Sequence, residues 1–141
     1  MTDDRAQISL EYLLIFAISL IMLMVFTLPL AEDSIKNALD VSDSLDAKYG
    51  MSTIAQAIRE VYGEGQGSKR TINFDSDRNI KVYISDSHIS CNLKLKSDSN
   101  KQLKESFKSN LKKSSITLNK GKNVIIVEWP IGSENMLIYK K

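Results

Sequence analysis

The chain is poor in the residues that most enzymes need. Cys91 is its only cysteine, so no intrachain disulfide and no cysteine-built zinc cage can form. His88 is its only histidine, which excludes a Ser-His-Asp type triad and multi-histidine metal centres. Two prolines and six glycines in 141 residues leave no room for a collagen-like or low-complexity chain. No Asn-x-Ser/Thr sequon occurs, so N-glycosylation has no standard acceptor. The Gly63, Gly65 and Gly67 run neither follows a strand nor opens a helix, so it is a linker signal and not a phosphate loop. His88 and Cys91 lie three apart, but further metal ligands or a base are lacking, and a strand would turn Cys91 into the core as a small hydrophobe. These absences predict no enzyme, no catalytic residues and no cofactor or metal.

What the sequence does have is one long uncharged run. Tyr12 to Ala31, YLLIFAISLIMLMVFTLPLA, carries only Ser19 and Thr27 as hydroxyl side chains besides its tyrosine. A helix of about 20 residues crosses a hydrocarbon core of roughly 30 Å, and this one has no polar face to turn to water. The segment predicts membrane insertion. A secretory signal peptide fits poorly, because MTDDRA sets one arginine against Asp3 and Asp4 and Pro29-Leu30-Ala31 is a poor cleavage site. A plain signal anchor fits the length. It leaves Glu11 to be explained, since a carboxylate at the mouth of a lipid-facing helix costs about 2–3 kcal/mol to bury. Arg5, six residues back, is badly spaced to pair with it on a helix. On residues alone, Glu11 either meets a partner or sits among headgroups facing water.

Charge is unevenly distributed. From Ala31 to Glu64 there are three basic and seven acidic residues, and from Gly65 onward fifteen basic and seven acidic. The lysine-rich stretch from Lys94 to Lys122 could be a solvated face, or could touch an acidic cell wall, nucleic acid or a neighbouring acidic helix. Phe107 is the only aromatic within it and arginine is absent, so no nucleic-acid partner is expected.

Beyond the apolar run, Ile35, Leu39, Leu45, Tyr49, Ile54, Ala55, Ile58, Val61 and Tyr62 recur at helical steps. They predict one helix from about Ser9 to Tyr62, kinked or locally melted at Pro29 and weakened at Gly50. Its apolar stripe should dock on the C-terminal half. From Thr71 the pattern turns to alternation. Strands are expected over Thr71–Asp75, Asn79–Ser85, Ile89–Lys96, Ile116–Leu118, Val124–Trp129 and Met136–Tyr139. The fourth and fifth of these read as a hairpin through Asn119–Asn123. Leu103, Phe107 and Leu111 lie four apart and suggest a short amphipathic helix within Ser97–Ser115, with a disordered basic loop as the alternative. The fold class is therefore α+β: a long hydrophobic then amphipathic N-terminal helix, with a small, mostly antiparallel head of five or six strands packed on its distal part.

The residues around Glu11 add a resemblance. Arg5-Ala6-Gln7-Ile8-Ser9-Leu10-Glu11, set against the apolar run, closely resembles the class III signal peptide of archaeal type IV pilins, especially of methanogens. In that family a basic and a small residue precede Gln-x-Ser-x-Glu and then the apolar helix, and a prepilin peptidase cuts just before the glutamine. The resemblance implies recognition at Ala6, Gln7, Ser9 and Glu11, and roles in assembly for Gln7 and Glu11. Ile15 stands where the family often has leucine. The implied organisation is a leader at 1–6, a membrane and filament-core helix at 7–31, its amphipathic continuation at 32–62, a Gly-rich linker at 63–70 and a β head at 71–141. The expected partners are identical or related pilin subunits, the peptidase, the membrane and the pilus assembly machinery. The chain would lie in the plasma membrane before assembly and in an extracellular filament after it, supporting adhesion. The competing expectation is a non-assembling, single-span surface protein with a basic binding head.

Overall fold

The computed structural model describes residues 3–97 and 99–141, with side chains from Gln7 onward. The expected leader therefore lies outside the described residues at Met1 and Thr2 and, for side chains, through Ala6. The chain divides into two compact units, the first ending at Ala38 and the second spanning Leu39–Lys141. An α-helix, α1, covers Asp3–Glu64, followed by seven strands: β1 Lys69–Ser76, β2 Ile80–Ile84, β3 His88–Lys94, β4 Asn100–Ser106, β5 Ser114–Leu118, β6 Gly121–Glu128 and β7 Leu137–Lys140.

The first unit is helical throughout its described length. Pro29 lies inside α1 without breaking it, so the local melting expected there does not occur. A proline forfeits one backbone bond, yet the apolar turns around it keep their own ladder. The Ser19 hydroxyl donates to the Ile15 carbonyl at 2.7 Å, and Ser34 does the same to Leu30 at 2.8 Å. These hydroxyls thus find acceptors on their own helix and need none from solvent.

The second unit holds the hydrophobic core. Its strands form two antiparallel sheets, one ordered β1-β6-β7 and the other β4-β3-β2-β5. The alternation in the sequence decides the inward faces: Ile80, Val82 and Ile84 of β2 are buried with Ile89, Cys91 and Leu93 of β3. From α1 this core takes Ala47, Met51, Ile54, Ala55, Ile58 and Val61. Gly50 lets the helix come close to β1, since a Cβ there would lie 2.5 Å from the Phe74 ring. Gly50 is thus a packing device, and the helix continues through it.

Four expectations need correction. One sheet of five or six strands is in fact two sheets of three and four. The hairpin through Asn119–Asn123 does not form, because β5 belongs to the four-stranded sheet and β6 pairs with β1 and β7. Buried Asn123 makes that crossing: its side chain accepts from the Asn119 amide at 2.9 Å and donates to the Asn119 and Gly121 carbonyls, each at 2.7 Å. The helix expected in Ser97–Ser115 is replaced by β4 and an irregular segment. Leu103 lies opposite Cys91 on β3, while Phe107 and Leu111 are buried beyond the strand's end. Their spacing of four came from filling the core from an edge strand and a loop, and β pairing overrode the weak helical preference of a lysine- and serine-rich stretch.

The docked stripe of α1 is the fourth. Ile54, Ala55, Ile58 and Val61 are buried as expected, but Ile35, Leu45 and Tyr49 are 61%, 60% and 70% exposed. The helix turns Asp40, Ser44, Ala47 and Gly50 inward instead. Small side chains at steps of three and four allow a close approach to the sheets, which larger ones would prevent.

Candidate functional site: the exposed N-terminal helix

The candidate site is the start of α1 rather than a pocket. Gln7, Ser9 and Glu11 all lie on the helix and are exposed. Gln7 and Glu11, four residues apart, share one face, and Ser9 is turned away from it. A carboxylate at this position is one helical turn from the residue that a cut after Ala6 would make the N-terminus. The side chain of Ala6 falls outside the described residues.

From Tyr12 to Ala31 the helix is apolar on every side and, among the described residues, almost wholly exposed. Phe16, Leu23, Phe26 and Leu30 are 66%, 63%, 65% and 68% exposed. Among the described residues α1 is the one helix long and apolar enough to cross a membrane, and none of its most apolar stretch is buried. Apolar area is worth about 25 cal/mol per Å² when removed from water, so such a surface calls for lipid or for other chains.

Exposed apolar residues also occur in the second unit. Val41, Leu45 and Tyr49 face solvent, and Val41, Leu45, Lys48 and Met51 line a groove of about 530 Å³ against Lys101–Glu105 of β4. β4 is an edge strand, so this groove is bounded by unpaired backbone.

Several polar contacts hold α1 to the head within this unit. Asp40 is the clearest. Its carboxylate is buried and accepts from the backbone amides of Lys96 at 2.6 Å and Ser97 at 3.0 Å. Burial opposes its ionisation, but these donors and the Ser97 hydroxyl prevail and hold the carboxyl below the usual aspartate range. Asp43 pairs with Arg78, and Arg59 donates to Glu105 at 3.0 Å and to the Ser106 carbonyl at 2.9 Å. Near the helix end Arg70 pairs with Glu60 at 3.1 Å and with Glu64, while Tyr62 stacks on Trp129 with centroids 5.8 Å apart. The sequence alone gives Asp40 no role. Its signal is an acid, with Asp43 three residues on, on the same face as Ser44 and Ala47, small residues at helical spacing.

His88 and Cys91 do not converge. Cys91 points into the core, where its Sγ lies 3.2 Å from the Met51 sulfur and burial pushes its thiol pKa up. His88, an odd number of positions away on the same strand, is on the opposite face and lies 3.3 Å from the Ser87 hydroxyl.

No curated protein and no solved structure matches the chain. Residues 5–30 match the family described as Class III signal peptide, so the N-terminal helix carries the type IV pilin-like prepilin signal, the kind that a prepilin peptidase processes.

Proposed function

We propose that the chain is a structural subunit, major or minor, of an archaeal type IV pilus-like surface filament that supports adhesion. The observation that carries this reading is the class III signal match over residues 5–30 of a helix none of whose most apolar stretch is buried. The leader ends at Ala6, the peptidase cuts before Gln7, and the apolar helix stays on the mature subunit. It rests in the plasma membrane until the assembly machinery draws it into a filament, where the same surface packs against copies or related subunits.

Glu11 sets the register of that packing. The new α-amine at Gln7 has an ordinary pKa of about 8 and is largely protonated near neutrality. A neighbour's Glu11 carboxylate pairs with it in a low-dielectric interior, where a subunit out of step would leave a charge unpaired. Val41, Leu45 and Tyr49 support assembly over a plain membrane anchor. They leave an apolar stripe on the head unit itself, more than a lone span needs.

The test is Glu11→Gln in the full chain. The variant is expected to be inserted in the membrane at wild-type levels and to yield few filaments, seen by microscopy of sheared material. Normal filament number and length from Glu11→Gln would contradict the assigned role.

A further inference from the structure

The four-stranded sheet has two faces of opposite character. Its inner face carries the buried aliphatic residues of the core. On the outer face the register aligns Ser115, Tyr83, Ser90 and Lys104 in one row across all four strands. At about 4.8 Å per strand that row is roughly 14 Å wide, and its side chains are exposed or partly exposed.

Among the described residues of the four strands, the charge on this face is of one sign. Lys81, Lys94 and Lys104 stand on it, and Lys113 borders it. The strands place no carboxylate on this face among the described residues. Glu105 of β4 faces inward to Arg59, and Glu128 pairs with Lys69 at 3.2 Å on the other sheet. Among the described residues Asp86, in the turn after β2, borders the face and lies close to Lys113. A merely solvated surface usually mixes both signs.

The uncharged positions are as selective. Asn92, Gln102, Ser115 and Thr117 are exposed here, with Ser90 partly so. Each both donates and accepts hydrogen bonds, as sugar hydroxyls require. Tyr83 is 46% exposed at the centre, and the Lys81 ammonium lies 5.4 Å from its ring centroid. A shallow depression of about 320 Å³ beside it is lined by Tyr83, His88, Ser90 and Lys113. An aromatic surface with a cation next to it suits an acidic sugar, which has an apolar ring face and a carboxylate. Readers of single-stranded nucleic acid combine several stacking aromatics with arginine, and this face has one aromatic and no arginine.

We propose that the outer face of the four-stranded sheet binds acidic polysaccharide, with carboxylates held by Lys81 and Lys104 and a sugar ring against Tyr83. Binding of this kind needs the folded head but not the filament. It therefore stands or falls separately from the assembly of the subunit.

The experiment uses the full chain in detergent micelles over immobilised alginate, neutral dextran and single-stranded DNA, at low and at physiological salt. Alginate is expected to retain the protein, with binding that weakens as salt rises, and dextran is not. Lys81→Gln with Lys104→Gln should weaken alginate binding by about thirtyfold, as two lysines near an anionic surface contribute about 1 kcal/mol each. The off-face pair Lys120→Gln with Lys122→Gln should leave it within about twofold. Equal weakening by both pairs would reduce the effect to overall charge and overturn the proposal. So would alginate held no better than dextran, or DNA held more tightly than alginate.

Discussion

Leu23 and Ile58 stand on the same helix and meet opposite surroundings. Leu23 is 63% exposed, in a unit whose apolar side chains find nothing to cover them, while Ile58 is fully buried among two sheets. The helix is the same element; what differs is where its partner comes from. The unit spanning Leu39–Lys141 supplies its own, through strands whose alternation turns one face inward. The unit ending at Ala38 has none among the described residues, so its apolar surface calls for lipid or for other chains. Val41, Leu45 and Tyr49 are exposed as well, so uncovered apolar surface extends into the folded unit.

The strongest way to break this comparison is to put charge into the first unit. Ile18→Lys with Met22→Lys should cost about 2.5–3.5 kcal/mol at each site in the centre of a membrane span. Carbonate extraction is expected to release the variant from membranes, while the head keeps its near-ultraviolet circular dichroism. Retention in the membrane would show that the apolar run is not the span.

A pair of substitutions sharpens the contrast within the second unit. Ile58→Ala should destabilise the head by about 2–5 kcal/mol in chemical denaturation, for lost burial and the cavity left behind. Leu45→Ala, on the same helix but exposed, should change it by no more than about 0.5 kcal/mol and lower filament yield instead. Equal destabilisation by the two would mean that Leu45 is covered by its own head.

Gly50 and Gly63 make a smaller version of the same test. Gly50→Ala places a methyl against the Phe74 ring, and overpacking of about 1–3 kcal/mol should outweigh the helical gain of about 1 kcal/mol. Gly63→Ala meets nothing within 4 Å and should raise the melting temperature slightly.

The smallest expected effect is on pH dependence. The folded head holds the Asp40 carboxyl below its ordinary value, which is about 3.9 in an unfolded chain. The stability it contributes is complete above that value and is lost as pH falls through the lower folded pKa. Asp40→Asn should remove that part of the acid limb, so that acid unfolding followed by tyrosine and tryptophan fluorescence becomes shallower. An unchanged acid profile would show that Asp40 does not titrate with folding.

The residues that wrote most plainly were those with one task. The uncharged stretch from Tyr12 to Ala31 announced its helix and its solvent, and Ile89, Cys91 and Leu93 announced the inner face of β3. Residues with two constraints misled. Leu103, Phe107 and Leu111 lie at helical spacing, yet the cross-strand pairing of Cys91 with Leu103 made a strand of the first. The large apolar residues of the second half of α1 suggested the docked stripe. Close packing favoured Ser44, Ala47 and Gly50 there, whose small size carries little hydrophobic signal. Topology was the least legible: the segment through Asn119–Asn123 looks like a tight hairpin but passes between sheets, because register is decided by partners distant in sequence. At the candidate site, Gln7, Ser9 and Glu11 were legible as a motif because their spacing and their place against the apolar run coincide. Asp40 was not, since its partners are amides of a turn that sequence alone did not bring near.

The most direct test of the central claim is the N-terminal residue and intact mass of the protein sheared from cell surfaces. A chain beginning at Gln7 and recovered in filaments is the predicted result. A chain still carrying Met1–Ala6, found only in membranes, would contradict it and leave a membrane-anchored surface protein.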